Sequence, residues 1–392
     1  MSATPTSQGA PRRATITDVA REAGTGKTSI SRYLNGEMSV LSPELRARIE
    51  AAIERLDYQP NQMARGLKRG RNRLIGMLLA DLTNPYTVEV LQGVEAACHA
   101  LGLMPLICHA ANEVEMERRY LQLLTTYRVE GVIVNALGVR EETLRPVGGG
   151  GIPAVLVDRS VEGLAADIVG LDNRAAAELG TRHLLDRGFR EIWFVVQPFE
   201  QVSSRQLREV AFREVMSARG EWSASAVGGR GEGGWGASGV SGVSGPSRAG
   251  ANGRVRGHTL VLDLADSAAV QRGLAELDRA IDAAGDASNA STNAPTNAAR
   301  IALFAANAPV ALCLALHLKA RYGAAWQSRV ALLSIDDPDW AELTGVTTIR
   351  QPTYEIGYRA VEFLHERIEG VQTSARDCLL PGELIVRAST LR

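Results

Sequence analysis

The stretch Thr15-Ile-Thr-Asp-Val-Ala-Arg-Glu-Ala-Gly24 and, past Thr25-Gly26, Lys27-Thr-Ser-Ile-Ser-Arg-Tyr-Leu-Asn35 is written in the period of two short helices. Thr15 with Asp18 three residues on makes a capping-box start, and Ile16, Val19, Ala20 and Ala23 recur along one helical face. Gly24 supplies the stop. The second helix is predicted over 27–35, with Ile30, Tyr33 and Leu34 inward and Lys27, Thr28, Ser31 and Arg32 outward. Its cap is either Thr25 or Gly26, the glycine at a cost of about a few tenths of a kcal/mol. Ser42, Pro43 and Glu44 then open a third helix whose buried stripe is Leu45, Ile49, Ala52, Ile53 and Leu56. Two short helices split by a glycine turn and braced by a third fit a helix-turn-helix. An ordinary three-helix scaffold with a charged surface fits the same pattern.

Charge separates the two ends of the chain. Up to Arg73 there are 13 lysines and arginines against 7 acids, and beyond it 30 against 37, so a net charge of -1 hides a basic head and an acidic body. That suits nucleic-acid binding at the head, although a basic end is also often a solvated face. If the second helix enters a major groove, Arg32 can donate two hydrogen bonds to a guanine edge, and Lys27 and Thr28 reach base edges or phosphates. Residues 1–13 are polar, contain Pro5 and Pro11, and read as a disordered tail.

From Leu74 onward, apolar runs alternate with amphipathic helical stretches. Strands are predicted at 74–80, 103–108, 131–135 and 152–158, with helices near 88–100 and 113–126. A second set of strands follows at 191–196, 258–264, 301–307 and 330–335, with a final strand at 382–387. Such alternation predicts α/β architecture with two doubly wound parallel sheets and a cleft at the carboxyl ends of their strands. Polar residues collect where those strands end: Asp81, Asn84 and Tyr86, then Asp158 and Arg159, then Asn307, Asp336 and Asp337. Each one alone reads equally as a turn or helix cap. Together they offer carboxylates and amides for hydroxyls and a guanidinium for a carboxylate. Trp340 has two readings, stacking on a ligand or packing in a core or interface.

The head motifs, with Ile53-Glu-Arg-Leu-Asp-Tyr-Gln-Pro-Asn61 after them, resemble the head of the lactose/galactose repressor (LacI/GalR) family, and the likeness runs along nearly the whole chain. The resemblance implies an all-α helix-turn-helix head and hinge helix on a periplasmic-binding-protein-like body. It also implies a DNA-contacting set: Thr15, Lys27, Thr28, Ser31, Arg32, Asn35 and Tyr58 in the head, and Asn61, Ala64, Leu67 and Lys68 in the hinge. The hinge, 61–69, is too short to be a stable helix alone; on the resemblance it becomes helical on the operator, where Leu67 wedges a minor-groove base step. In the body, Arg208, Asn307 and Asp336 align with effector-binding positions, completing an expected set of Asp81, Tyr86, Asp158, Arg159, Arg208, Asn307 and Asp336. Three departures mark this chain: Thr25-Gly26 where Val-Ser is usual, Ala211 for a glycine, and Ala308 for an aspartate. Ile335-Asp-Asp-Pro-Asp-Trp340 and Thr347-Thr-Ile-Arg-Gln-Pro352 look most like the branch that responds to 2-ketogluconate and related keto-sugar acids.

The expected organisation is a tail at 1–13, a DNA-binding domain at 14–60, a hinge at 61–72 and a sensing body at 73–392. The amino-terminal lobe is expected at about 73–171 and 351–377, and the carboxy-terminal lobe at about 172–350 and 378–390. Two segments, about 222–257 with its twelve glycines and about 282–299, read as flexible insertions. The expected partners are a palindromic operator duplex, a sugar or sugar acid, and a second copy of the chain, because a two-fold operator needs two heads. No leucine heptad follows the last strand, which favours a dimer over a tetramer.

A sugar-binding transport receptor would share the body, but it calls for a secretory signal, and the first twenty residues lack one; the expected location is the cytoplasm. No stretch is long and apolar enough to span a membrane. An enzyme would call for a phosphate loop, metal-ligand spacing or a nucleophile–base pair, none of which is evident, and no cofactor is expected. The four cysteines are far apart and read as reduced thiols, and His109, His183 and His317 as surface or packing residues.

Overall fold

The computed structural model describes residues 13–60, 71–135, 144, 151–161, 163–199, 202–219, 221–225, 255–289 and 300–391. The tail at 1–12 and the hinge positions Asn61, Ala64, Leu67 and Lys68 lie outside them. Two units emerge, Met1–Arg73 and Leu74–Arg392.

In the first unit, α1 (Ile16–Glu22), α2 (Lys27–Leu34) and α3 (Pro43–Arg55) surround one small core. The capping box is complete: the Asp18 N–H donates to the Thr15 hydroxyl, and the Thr15 N–H donates to the Asp18 carboxylate at 2.9 Å. Gly24 takes φ +62°, so the chain reverses after α1 without a Cβ penalty. Gly26, not Thr25, is the cap of α2 and makes no side-chain bond to it. Ser42 caps α3, accepting from the Leu45 N–H at 3.3 Å, with Pro43 in the first turn. Val19, Ala20, Ala23, Ile30, Ile49 and Ala52 are buried at the centre, and Tyr33, Leu34, Leu45, Ile53, Leu56 and Tyr58 pack around them.

The second unit begins with β1 (Leu74–Leu79), α4 (Pro85–Leu101), β2 (Met104–His109), α5 (Val114–Thr126), β3 (Gly131–Asn135), β4 (Ala154–Val157) and β5 (Asp167–Leu171). The chain then crosses to a second lobe: α6 (Asn173–Asp186), β6 (Glu191–Val196), α7 (Ser203–Arg219), β7 (Glu221–Ser225), β8 (Arg256–Val261), α8 (Ser267–Asn289), β9 (Ile301–Ala305), α9 (Ala308–Tyr322), β10 (Val330–Ile335), α10 (Asp339–Thr344) and β11 (Thr347–Arg350). It returns for α11 (Thr353–Ile368) and β12 (Asp377–Leu380), and crosses once more to β13 (Glu383–Ile385). The sheets run β2-β1-β3-β4-β5-β12 and β7-β8-β6-β9-β10-β11-β13, parallel throughout except for β13, which is antiparallel to β11.

Both sheets are covered on two faces, which is why their strands are almost continuously apolar. Ile75, Met77 and Leu79 face α4 and α11, whereas Leu78 and Val132 face Leu121 and Leu124 of α5. In the other lobe Trp193, Val195 and Leu303 join α8 and α9, and Phe194, Phe304 and Leu333 join Phe212 of α7. Helices α4 and α11 approach unusually closely: a Cβ on Gly93 would stand 2.0 Å from the Tyr354 carbonyl oxygen.

The structure corrects several boundaries. Short strands β5, β7, β11 and β12 were not expected as strands. Of the segments expected as insertions at about 222–257 and 282–299, Glu221–Ser225 is a strand, β8 starts at Arg256 and α8 runs as far as Asn289; 226–254 and 290–299 lie outside the described residues. The last crossing to the carboxy-terminal lobe follows Leu380 instead of 377, since β12 pairs with β5. Among the described residues no helix is long and apolar enough to cross a membrane, and no group of acids, histidines and cysteines could hold a metal.

Candidate functional site

Between the two lobes lies a cavity of about 600 Å³, at the carboxyl ends of both parallel sheets. All seven residues expected to bind effector line it: Asp81, Tyr86, Asp158 and Arg159 from one lobe, and Asn307 and Asp336 from the other, expected at strand ends, with Arg208 of α7, expected from the resemblance. The fold brings them together for a simple reason. In a parallel sheet every strand leaves its last residue at the same edge, and the two edges face each other.

Each side chain has a local reason for its pose. Asn84 caps α4, accepting from the Tyr86 N–H at 3.2 Å, and so sets Tyr86 at the cavity wall. Asn307 caps α9 through the Val310 N–H, and its amide donates to Gln197 Oε1 at 2.8 Å. Asp336 accepts from the Ala308 N–H at 2.8 Å and from the Gln351 amide. Ala308, where the family has an aspartate, is thus engaged through its backbone. Arg208 is almost fully buried; its Nε donates to Asn173 Oδ1 and its Nη1 to the Ala306 carbonyl, both at 2.6 Å, with Nη2 3.9 Å from Asp158 Oδ1.

The electrostatics follow from taking these groups out of water. Burial, then the charge of Asp158, pushes the Tyr86 hydroxyl well above its usual range, so it stays a neutral donor. Burial also raises the Asp336 carboxyl, although Arg208 opposes the shift. Burial lowers Arg159, against the pull of Asp158. Among the described residues neither Tyr86 Oη nor Gln351 Oε1 has a hydrogen-bond partner, and both are buried. Buried polar atoms of this kind commonly await a ligand group.

Some cavity residues were missed from sequence. Asn135, Gln197, Ser204, Arg205, Asp263 and Gln351 also line the wall. Asn135 closes a strand that was expected, and Arg205 stands one helical turn before Arg208, so strand-end position and i,i+3 spacing were the available signals. The strand-end suggestion for Asp337 fails, and of the two readings of Trp340 ligand stacking fails while core packing holds. Asp337 turns away from this cavity and accepts from Arg387, Thr348 and Arg350 at 2.7–3.0 Å. Trp340 packs against the core of its lobe. His183 and His317 are side-chain bonded, to Thr390 and Asp278.

On the head, Lys27, Thr28 and Arg32 stand exposed along α2, while Ser31 and Asn35 are half-buried. Thr15 is occupied by its capping box, and Tyr58 packs on the core, so these two support the fold whatever else they touch.

A helix-turn-helix head and a two-lobed body with a polar inter-lobe cavity define a DNA-binding regulator with a ligand-sensing domain. Known proteins agree with this class. Residues 15–61 match "Bacterial regulatory proteins, lacI family", residues 72–221 match "Periplasmic binding proteins and sugar binding domain of LacI family", and residues 248–390 match "Periplasmic binding protein-like domain". The chain is 39% identical over 380 residues to the HTH-type transcriptional regulator PtxS of Pseudomonas aeruginosa, covering 96% of each chain. It is 29% identical over 377 residues to the HTH-type transcriptional regulator KdgR of Bacillus subtilis, covering 96% of this chain and 97% of that one. The structure of the Lac repressor dimer bound to operator and the anti-inducer ONPF shares the fold, with a TM-score of 0.73 at 20% identity over 97% of this chain and all of that one. The chain belongs to the LacI family. It is a DNA-binding transcriptional regulator and not an enzyme.

Proposed function

We propose that the protein is a cytoplasmic, dimeric repressor that binds a palindromic operator, and that a sugar or sugar acid held between its lobes weakens that binding. The observation that carries this reading is the cavity wall itself: carboxylates, amides and arginines from both lobes converge on one space. A ligand that touches both lobes binds one lobe arrangement better than another, and that difference is what can shift operator affinity. Lys27, Thr28 and Arg32 read base edges or phosphates from α2, which leaves them exposed. Relatives named as transcriptional regulators support the reading, as does a fold shared with a dimeric repressor on its operator.

The first test is a thermal-shift screen of the full-length protein against neutral sugars and sugar acids, with 2-ketogluconate among them. A saturating ligand is expected to raise the unfolding midpoint by several degrees, since binding at about a hundred times Kd stabilises by about 2.7 kcal/mol. No shift with any sugar or sugar acid would remove the sensing half of the proposal.

A further inference from the structure

The described chain passes between the lobes after β5, after β11 and after β12, and the three crossings lie side by side. In the first, the Asp172 N–H donates to the carbonyl of Leu380, the residue before the third, at 2.8 Å. Gly382, in the third, packs so closely that a Cβ there would stand 2.7 Å from Ile349 Cγ2 and 3.2 Å from Leu171 Cδ1. A change in the angle between the lobes must bend these segments, since they are the covalent links.

Arg350 stands where the second crossing begins, and its guanidinium joins three pieces of chain. Nε and Nη2 donate to Asp337 Oδ2 at 3.0 and 2.8 Å, and Nη1 donates to Glu383 Oε2 at 3.4 Å. Glu383 is its register partner on β13 and the first residue past the third crossing. Asp337 follows Asp336, the carboxylate of the cavity wall. These two consecutive acids hold two consecutive residues of the second crossing: Asp337 accepts from Arg350, and Asp336 accepts from the Gln351 amide. Arg350 therefore links the loop that carries Asp336 to the bending points of both later crossings.

Stability alone does not explain this side chain. Asp337 is buried, and without Arg350 its Oδ1 would still accept from Arg387 Nη1 and Thr348 Oγ1, each at 2.7 Å. The side chain of Arg350 is 52% exposed and that of Glu383 68%, so the pair between them adds little in water. What Arg350 supplies is geometry: a planar guanidinium bonded to two carboxylates at once has little freedom, and it fixes their spacing.

We propose that Arg350 is a positioning residue that couples the cavity to the lobe angle, making the pose of the Asp336 carboxylate depend on the path of the second and third crossings. A ligand that draws Asp336 into a new pose then pulls on those crossings, and a change in lobe angle alters the fit around Asp336. This rests on the reading that a sugar or sugar acid in the cavity controls operator affinity.

The test compares full-length wild type, Arg350→Gln and Arg350→Lys by hydrogen exchange without ligand and by operator titration with and without 2-ketogluconate. The Asp336 N–H, which donates to the Ile349 carbonyl at 3.0 Å, is expected to exchange about tenfold faster in Arg350→Gln and to slow again in Arg350→Lys, with the urea unfolding midpoint unchanged in both. The shift of operator affinity by 2-ketogluconate is expected to fall from at least about tenfold in wild type to about threefold or less in Arg350→Gln, with part of it restored in Arg350→Lys. Calorimetric affinity for 2-ketogluconate without DNA should stay within about threefold of wild type. Unchanged exchange at Asp336, or an operator shift as large as in wild type, would overturn the coupling role while leaving a sugar-sensing repressor intact. A shift lost together with ligand affinity and the unfolding midpoint would make Arg350 a structural support and overturn it too. A wild type whose operator binding ignores 2-ketogluconate and every other sugar and sugar acid tried would remove the sensing reading, and the coupling role with it.

Discussion

Asp158 and Asp336 hold the same station in the two lobes. Each follows a strand, β4 or β10, each has a positive φ, +65° or +78°, and each donates its N–H at 3.0 Å to the neighbouring strand, to the Val169 or Ile349 carbonyl. Aspartate is among the few residues that tolerate this backbone, and the kink turns both carboxylates into the cleft from opposite sides. Asn tolerates it too. Asp336→Asn should therefore fold normally and lose an acceptor: effector affinity measured by calorimetry is expected to fall about tenfold, with operator affinity in the absence of effector within about threefold of wild type. Unchanged effector affinity would remove Asp336 from the site.

Arg32 is exposed on α2, and its nearest acid, Glu37, stands 4.0 Å away, too far to hold it. Arg32→Ala is expected to cost about 1–3 kcal/mol on operator DNA and much less on random DNA, as read by equilibrium binding to both. Equal loss on both would make it a phosphate contact.

Gly26 caps α2 from extended backbone, φ -83° and ψ 154°, with nothing within 4 Å of where a Cβ would stand. Serine fits that backbone and brings an oxygen for an otherwise uncapped N–H. Gly26→Ser should stabilise the head by about a few tenths of a kcal/mol, seen as up to about twofold slower hydrogen exchange in α2. Faster exchange would mean that the glycine is needed for its conformation.

Asp167 is buried at the start of β5 and binds Arg367 of α11 at 2.8 Å and Arg376, just before β12, at 2.9 Å. Burial alone would raise its carboxyl; the two arginines outweigh burial and hold it at about 2, below the ordinary 3.8. A depressed value means stability that is present above about pH 4 and is lost as pH falls through about 2. Asp167→Asn is expected to destabilise the body by about 2–4 kcal/mol at neutral pH, and the gap to wild type should close between pH 4 and 2 in urea unfolding. A gap independent of pH would assign the loss to packing.

The long elements were legible because their periods are strong. Strands 131–135, 191–196 and 330–335 fall where the apolar runs place them, and the Thr15 and Ser42 caps announce α1 and α3. The strands that were missed are short. β12 is an edge strand only alternately covered, and β5 opens on Asp167, a charge whose partners lie 200 residues away or more. The site divides in the same way. Residues just past strand ends could be read from position, whereas Gln351 and Arg205 enter the cavity through a lobe crossover and a helix turn, which only the topology brings to Asp336 and Arg159. Asp337 shows the converse: one residue beyond Asp336, it faces the other way into a cluster of arginines.

The most direct test of sensing coupled to DNA release is an operator titration of the full-length protein with and without saturating 2-ketogluconate, on a palindromic duplex selected by its own binding. The expected result is a midpoint moved to at least about tenfold higher protein concentration by the effector, and a shift much reduced in Asp336→Asn at the same effector concentration. Superimposable curves with 2-ketogluconate and with every other sugar and sugar acid tried would contradict it.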